Sequence, residues 1–397
     1  MDLAHRLHRL GTETAFAVSS QARAWAEQGH AVYPFHLGDI NLPTPSNIVE
    51  AALRAIRDGK TGYCPAEGIL PLREVLATDV GERRGVSYTP EQVSIQPGGK
   101  PVIWKFLAAV MNPGDEVLYP NPGYPIYESQ IEFQGGVAVP YHYVETKTGF
   151  AIDLEHLQDS LSPRTRILIY NNYQNPLSAE SSLEEMEALA RLAQERNLWV
   201  LSDEAYYEIR YGGQSRSIVA LPGMIERTVI LYTFSKKFAM TGWRLGAAIG
   251  PRNAIEAISR LNVNDESCSN HFIQWAMIEA LTGDQSGPQR ILETLRQRRD
   301  AAVACLNAID GIHLTSPNST FYLFPNVTKI MERKGFHTVA QLQEATLHET
   351  GVSFCTRDHF GRPAPREKEF FIRLAYSGID VDQIKTGLGK LKAYFES

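Results

Sequence analysis

The chain has 397 residues, 43% of them hydrophobic and 21% charged, a composition typical of a globular protein with two or three domains and a sizeable core. Its formal net charge of −6 argues against a nucleic-acid partner, which normally requires a basic face on the protein. The four cysteines lie far apart in the sequence without metal-ligand spacing, so we expect a reducing compartment, no metal site and no disulfide framework.

The amino-terminal sequence gives no sign of a targeting segment. Its first sixteen residues carry charged and histidine side chains where a signal peptide needs an apolar run. No stretch of the sequence reaches the ~18 apolar residues that a membrane-spanning helix needs. We therefore expect a soluble cytoplasmic protein without a membrane partner.

Short apolar runs alternate with amphipathic patterns through the first two thirds of the chain. Seven runs predict strands: Val93–Gln96, Glu116–Tyr119, Val137–Tyr141, Ile167–Tyr170, Trp199–Leu201, Val229–Tyr232 and Leu245–Ile249. Among the helical patterns, Leu183–Gln194 follows Ser182 and Glu185, which have the spacing of a capping box. This alternation predicts an α/β fold with a mostly parallel seven-stranded sheet that helices cover on both faces.

The pattern changes after residue 285, where Pro288–Ile309 predicts a long charged helix followed by mixed short strands. We therefore predict a large domain over residues 46–284. A smaller α/β domain would be built from both termini, residues 1–45 and 285–397.

Polar residues follow several of the predicted strands. They are Gly98-Gly99-Lys100, Asn175, Asp203 and Ser235-Lys236. In open parallel sheets, ligands bind at the carboxyl ends of the strands. The sequence therefore predicts a ligand site at this edge of the sheet.

The segment Thr233–Arg244 has the strongest chemical pattern. Lys236 follows an apolar strand and two hydroxyl residues, Thr233 and Ser235, and Arg244 lies eight positions later. A lysine that forms a Schiff base needs a partly dry pocket that lowers its pKa. A phosphate group needs several hydrogen-bond donors and a cation. This segment has an apolar strand before the lysine, and it has hydroxyl groups and an arginine that suit a phosphate.

The sequence Ser235-Lys236, with Met-Thr-Gly-Trp-Arg-Leu-Gly shortly after it, resembles the lysine motif of the class I and II aminotransferases, which have the aspartate aminotransferase-like fold type I. The resemblance implies that pyridoxal 5′-phosphate (PLP) is the cofactor, held as a Schiff base on Lys236, with Arg244 binding its phosphate. Lys237 is then expected to be a solvated neighbour.

Two further segments resemble motifs of this family. In Leu201–Tyr206, Asp203 is implied to pair with the pyridine nitrogen and keep the ring protonated, and Tyr206 to hydrogen-bond the phenolic oxygen. Asn175, in the Asn-Pro loop, is implied to contact the phenolic oxygen and the substrate carboxylate. Glu204 is expected to be structural.

The loops after the first two predicted strands also match the family. Gly99 and Lys100 are implied to bind the phosphate, since glycines there expose backbone N–H groups at a helix N-terminus. In some aspartate-preferring members a lysine at the position of Lys100 also meets the distal carboxylate of the substrate. Tyr124 is implied to stack on the pyridine ring.

The remaining implied contacts come from distant parts of the chain. Arg373 lies in an apolar strand, where an arginine is costly without an anion, and is implied to clamp the substrate α-carboxylate near Gly38. Tyr63 is implied to reach the phosphate of a neighbouring subunit, which predicts a homodimer with shared active sites. Arg357 is left open between a second carboxylate ligand and a surface ion pair.

Together, these implied roles describe a PLP-dependent aminotransferase that moves an amino group from an L-amino acid, preferably aspartate- or glutamate-like, to a 2-oxo acid. Lys236, Asp203 and Tyr206 would be its catalytic residues, with Lys236 as general base and acid. A carbon–sulfur β-lyase, cyclase or decarboxylase of the same fold stays open, because such enzymes share the cofactor residues. A PLP-binding regulatory protein is disfavoured because the chain is acidic.

Overall fold

The computed structural model describes residues 2–11, 13–365 and 367–397. Its α-helices are α1 (Ala15–Glu27), α2 (Ser46–Arg57), α3 (Leu70–Arg84), α4 (Gly99–Val110), α5 (Ile126–Phe133), α6 (Leu154–Asp159), α7 (Leu183–Glu195), α8 (Arg252–Asn264), α9 (His271–Thr282), α10 (Ser286–Asn307), α11 (Thr328–Lys334), α12 (Val339–Thr350) and α13 (Val381–Glu396). Its strands are β1 (Tyr33–Pro34), β2 (Val93–Gln96), β3 (Glu116–Pro120), β4 (Val137–Tyr141), β5 (Tyr143–Thr146), β6 (Gly149–Ile152), β7 (Thr165–Asn171), β8 (Trp199–Asp203), β9 (Thr228–Thr233), β10 (Gly246–Ile249), β11 (Tyr322–Leu323), β12 (Val352–Ser353), β13 (Cys355–Thr356) and β14 (Ile372–Ala375).

Seven strands form the central sheet, in the order β2-β10-β9-β8-β7-β3-β4. The neighbours from β9 to β4 are parallel, whereas β10 runs antiparallel to both β9 and β2. The predicted α/β fold with a mostly parallel seven-stranded sheet is confirmed. Each predicted strand lies in this sheet, with ends that differ by a few residues at most.

The strand β7 shows why the apolar runs lack a polar face. Ile167 and Ile169 pack into the core on one side of the sheet, and Leu168 and Tyr170 pack into the core on the other side. Because successive side chains of a strand point to opposite faces, a strand buried on both sides is apolar throughout.

The two predicted helices are present with small differences at their ends. The capping box of α7 is formed, since Glu185 N donates to Ser182 Oγ at 3.2 Å and Ser182 N donates to Glu185 Oε2 at 2.9 Å. The long helix α10 begins two residues before Pro288, because the first turn of a helix does not need the N–H group that proline lacks. Within the described ranges, no helix combines the length and apolar character needed to cross a membrane.

Residues from both termini share a second core. Phe35 and Ile40 belong to the same buried cluster as Leu295, Leu342 and Leu388, and β1 pairs with β12. The proposed domain limits at residues 46 and 285 stay a prediction.

The segment before α1 lies against residues of the predicted large domain. Ser129 Oγ donates to Gly11 O at 3.2 Å, and Lys100 Nζ lies 2.9 Å from Glu13 Oε1. The amino terminus therefore contacts both predicted parts of the molecule.

Parallel pairing brings three strand ends to one edge of the central sheet. The last residues of β7 and β8, Asn171 and Asp203, are register partners, and Thr233 ends the adjacent strand β9. The helix α4 begins at Gly99, directly after β2. This edge is the predicted position of the ligand site.

Candidate active site

A cavity of about 510 Å³ opens at the carboxyl edge of the central sheet. It is lined by every predicted site residue except Tyr63: Gly38, Gly99, Lys100, Tyr124, Asn175, Asp203, Tyr206, Thr233, Ser235, Lys236, Arg244 and Arg373. Tyr63 lies outside the cavity, and its side chain is 88% exposed. The structure thus brings residues from nearly the whole length of the chain to one place.

Lys236 follows β9 and directs its amine into the cavity. Its Nζ donates to Gly38 O at 3.0 Å. The pKa of Lys236 is lowered to about 8, chiefly by burial, with Asp39 acting to raise it and the charge of Arg373 acting to lower it. An amine with such a pKa is partly uncharged near neutral pH and can act as a nucleophile or a base.

Asp203 is a buried carboxylate at the end of β8. It accepts hydrogen bonds from Tyr127 Oη at 2.5 Å and from Ala205 N at 3.1 Å. Burial raises its pKa to about 6, although both hydrogen bonds act to lower it. In the described part of the chain, no cation lies within ion-pair distance of this carboxylate, so a positively charged ligand group would suit it.

Glycines and an arginine shape the part of the cavity that lies at the N-terminus of α4. Gly98 has φ = 107°, and a Cβ atom at this position would lie 2.3 Å from Arg244 Nη2. Thr233 Oγ1 donates to Ser235 Oγ at 3.0 Å. With the N-terminus of α4 at Gly99, this end gathers backbone donors, hydroxyl groups and a guanidinium, which together suit a phosphate group.

Arg373 extends from β14 into the cavity and is only 4% exposed. Its Nη1 donates to Asn175 Oδ1 at 3.2 Å and its Nη2 donates to His36 O at 2.7 Å, while Nε is buried without a partner. Among the described residues, no carboxylate lies within ion-pair distance of it. A buried guanidinium that has no carboxylate partner is suited to bind the carboxylate of a ligand.

Tyr206 and Tyr322 form a hydroxyl pair at the cavity wall, with 2.6 Å between their Oη atoms. The ring of Tyr322 lies against Arg373, whose Cζ is 4.6 Å from the ring centroid. A Cβ atom at Gly38 would lie 2.3 Å from Tyr322 Oη. Only glycine therefore lets the chain pass this close to the tyrosine.

Lys100 is paired with an acidic residue from the amino-terminal segment. Its Nζ lies 2.9 Å from Glu13 Oε1 and 5.9 Å from the ring centroid of Tyr124. Glu13 also lies close to the Tyr124 hydroxyl, and burial together with this carboxylate raises the pKa of Tyr124. The predicted contact of Lys100 with a ligand must therefore involve Glu13 as well.

Two basic residues differ from expectation. Arg357 is not a surface residue, since it is 3% exposed, forks onto both carboxylate oxygens of Glu367 at 2.9 Å and donates to Asn121 Oδ1 at 2.7 Å. The side chain of Lys237 is only 10% exposed and lies 3.9 Å from Glu208. Neither residue lines the cavity, because each is held by an acidic residue outside it.

The side chains of the cavity wall that sequence reasoning missed include Glu13, Tyr127 and Tyr322. Tyr127 lies three residues after the predicted site residue Tyr124, and this spacing could have suggested that the two side chains share a face. Glu13 and Tyr322 carry no local pattern, because their roles depend on contacts with residues 87 and 116 positions away, Lys100 and Tyr206.

Comparison with known proteins gives consistent matches over the whole chain. The family model for aminotransferases of class I and II matches residues 32–391. An aspartate/prephenate aminotransferase of Thermus thermophilus is 35% identical over 83% of this chain and 85% of its own. An asparagine–oxo-acid transaminase of Streptococcus mutans is 31% identical over 99% of both chains. The solved structure of Thermus thermophilus aspartate aminotransferase with maleate superposes with a TM-score of 0.90 at 30% identity, covering 99% of each chain.

Proposed function

Because the chain belongs to the class I and II aminotransferase family, we propose that the cavity around Lys236 is where it moves an amino group from an L-amino acid to a 2-oxo acid. The matches confirm the predicted family, its transaminase activity and PLP as its cofactor. They do not favour the lyase, cyclase or decarboxylase alternatives.

One observation carries the assignment of the site. Lys236, Asp203 and Arg373 line a single cavity, and none of them lies within ion-pair distance of an opposite charge in the ranges that the structure describes. Three buried or partly buried charges without partners are unfavourable in an empty protein. They become favourable when bound ligands supply a carbonyl carbon for Lys236, a protonated ring nitrogen for Asp203 and a carboxylate for Arg373.

The cavity fits PLP. The amine of Lys236 is the covalent anchor, and the isolated carboxylate of Asp203 suits the ring nitrogen. The phosphate suits the cradle of Gly99, Ser235 and Arg244, which the missing Cβ of Gly98 leaves open. Thr233 and Lys100 border this cradle, Tyr206 and Asn175 would meet the phenolic oxygen, and Tyr124 would lie against the ring.

When bound, PLP supplies an electron-accepting ring that stabilises negative charge at the substrate α-carbon. Asp203 keeps the ring nitrogen protonated, because a buried carboxylate favours a neighbouring positive charge. Lys236 Nζ would take the proton from the α-carbon of the substrate and would deliver it to the cofactor carbon, since a pKa of about 8 lets both forms of the amine exist near neutral pH.

Arg373 and Asn175 hold the α-carboxylate of the substrate and thereby orient its α-carbon toward Lys236. Gly38 supports this geometry by accepting from Lys236 and by admitting Tyr322. Lys100, which borders the phosphate cradle, would also meet the side chain of the substrate, as a lysine at this position does in some aspartate-preferring members of the family. The names of the relatives, which mention aspartate, prephenate and asparagine, support a donor whose side chain ends in a carboxyl or carboxamide group.

The active enzyme is proposed to be a homodimer with shared sites. Tyr63 is 88% exposed and lies outside the cavity of its own chain. An aromatic side chain this exposed is suited to contact another subunit. Its proposed partner is the phosphate bound by the second copy.

The decisive experiment follows the absorbance of the purified holoenzyme when an amino donor is added without an acceptor. The cofactor should convert to its amino form and revert when 2-oxoglutarate is added. In Lys236→Ala, both changes should slow by about a hundredfold or more, because the tethered base is lost. Lys237→Arg is the matched control and should behave as the parent enzyme.

Two results would contradict the proposal. One is normal interconversion by Lys236→Ala. The other is release of ammonia and a 2-oxo acid from cysteine with no change in the form of the cofactor, which would indicate a lyase.

A further inference from the structure

Two tyrosine hydroxyls from distant parts of the chain meet at the wall of the cavity. Tyr206 follows β8, and Tyr322 lies in β11, which pairs with β14, the strand that carries Arg373. Their Oη atoms lie 2.6 Å apart, and both side chains are buried. Among the residues that the structure describes, neither hydroxyl has another hydrogen-bond partner. The proposed function uses Tyr206 but assigns no role to the hydroxyl of Tyr322.

The pair has one hydrogen-bond donor to spare. Each tyrosine hydroxyl carries a single proton, and one of the two protons is used between the side chains. The other proton has no acceptor in the described part of the chain, although both residues line the cavity. Because a buried donor without an acceptor is unfavourable, the pair would be stabilised by a bound group that accepts this proton.

The surroundings of the two rings favour Tyr322 as the donor within the pair. Burial raises the pKa of Tyr206 well above its usual value. Burial also raises the pKa of Tyr322, but less, because the charge of Arg373, whose Cζ lies 4.6 Å from the ring centroid, acts to lower it. Glu13 and Cys355 act to raise this pKa to a smaller extent. A nearby cation favours loss of the proton, which makes Tyr322 the stronger donor and leaves the spare proton on Tyr206.

We propose, building on the transaminase function above, that Tyr322 is a positioning residue whose hydroxyl donates to Tyr206 and thereby turns the proton of Tyr206 toward the phenolic oxygen of PLP. A hydroxyl that accepts a hydrogen bond becomes a stronger donor itself, because neighbouring hydrogen bonds polarise one another. Tyr322 therefore acts on the cofactor through Tyr206.

This chain of hydrogen bonds has a measurable effect on the protonation of the cofactor. The phenolic oxygen is most negative when the Schiff base on Lys236 has lost its proton. A hydrogen bond to this oxygen therefore favours the unprotonated form and lowers the pKa of the Schiff base. A weaker bond from Tyr206 would raise that pKa and leave more of the cofactor protonated near neutral pH.

The test is a double-mutant cycle that is read from the absorbance of the holoenzyme as a function of pH. Tyr322→Phe should raise the midpoint of this titration by about half a pH unit, because the bond from Tyr206 is weakened. Tyr206→Phe should raise the midpoint by about one to two units, since the whole charge-assisted bond is lost. The double variant should match Tyr206→Phe, because Tyr322 acts only through Tyr206.

Tyr376→Phe is the matched control for the loss of a hydroxyl. Tyr376 and Tyr211 form a second tyrosine pair, with 3.0 Å between their Oη atoms, and neither residue lines the cavity. This variant should leave the midpoint of the titration unchanged.

A second variant changes the acidity of Tyr322 and keeps its hydroxyl. In Tyr322→3-fluorotyrosine the hydroxyl is more acidic, so it should donate more strongly to Tyr206 and lower the midpoint. The two changes at position 322 should thus shift the midpoint in opposite directions, which a loss of packing alone would not do.

The proposal is overturned if Tyr322→Phe leaves the midpoint unchanged, or if its shift adds to that of Tyr206→Phe in the double variant. A larger shift in Tyr322→Phe than in Tyr206→Phe would also overturn it, since Tyr322 would then be the donor to the cofactor. The transaminase function fails by a different result, namely a holoenzyme whose cofactor no amino donor converts. In that case the titration still decides the role of Tyr322.

Discussion

The hydroxyl of Tyr127 donates to Asp203 Oδ2 at 2.5 Å, and both side chains are buried. This bond holds the carboxylate at the base of the cavity and acts to lower its pKa against the larger effect of burial, which raises it. Tyr127, together with the N–H group of Ala205, therefore favours the ionised form of Asp203 in a place that disfavours charge.

Removing this hydroxyl should make Asp203 a weaker acid. In Tyr127→Phe, the pKa of Asp203 should rise above its value of about 6 in the parent protein, because the hydrogen bond to the charged form is lost. The half-reaction with an amino acid should slow by about tenfold, roughly the effect of one charge-assisted hydrogen bond. Carbon-13 NMR of the cofactor-free protein, with Asp203→Asn to assign the signal, measures the titration.

Tyr141→Phe is the control for this substitution. It also removes a buried tyrosine hydroxyl, but one that donates to Ile169 O at 3.0 Å. Tyr141→Phe should leave the pKa of Asp203 unchanged. An unchanged titration in Tyr127→Phe would show that the hydroxyl does not set the ionisation of Asp203.

The reactivity of Lys236 should follow its lowered pKa. In the cofactor-free protein, the rate of acylation of Lys236 should rise with pH and level off above about pH 8, because the uncharged amine is the reactive form and predominates above its pKa. Mass spectrometry of the peptide that contains residue 236 gives the rate. The exposed Lys147 reports the pH dependence of the reagent in the same sample. A rate for Lys236 that tracks Lys147 up to pH 10 would refute the lowered pKa.

The proposed sharing of active sites between two subunits makes a prediction about mixed dimers. If Tyr63 acts on the neighbouring subunit, Lys236→Ala and Tyr63→Ala chains should each be poorly active alone but should form one intact site when paired. Co-expression with two different tags isolates the mixed dimer, which should have about half the activity of the parent dimer. No recovery would mean that Tyr63 and Lys236 of the same chain act together, whereas full activity of the Tyr63→Ala enzyme alone would mean that Tyr63 has no role.

The buried pair of Arg84 and Glu204 should matter for stability rather than for catalysis. Arg84 Nε lies 2.6 Å from Glu204 Oε2, and the side chains are 0% and 2% exposed. Glu204→Ala should lower the free energy of unfolding by about 3–5 kcal/mol, since it leaves a buried guanidinium unpaired. Chemical denaturation measures the change. Glu256→Ala, which breaks an exposed pair with Arg252, should have almost no effect.

Three of the predicted site residues that line the cavity share one property. Asp203, Lys236 and Gly99 end a buried strand or follow one within three residues, so a short segment defines both their position and their chemistry. The order of the strands and the gathering of their carboxyl ends follow from strand–helix alternation. This is why the fold and the position of these three residues at the cavity could be predicted.

Contacts between distant segments could not be predicted in the same way. Glu13 meets Lys100, and Arg357 meets Glu367 and Asn121, through folding that brings separate loops together. A single charged residue in a polar segment has the same local pattern whether it is solvated or paired. The burial of Arg357 and Lys237 was accordingly missed.

The position of the amino-terminal segment has a practical consequence for handling this protein. Glu13 forms part of the cavity wall, and Gly11 is held by Ser129 beside it. A purification tag fused ahead of residue 1 would lengthen the segment that leads to Glu13. The carboxyl terminus is the better place for a tag. Glu396, the last residue of α13, contacts Asp310, and Ser397 contacts Lys334, and none of these residues belongs to the cavity wall.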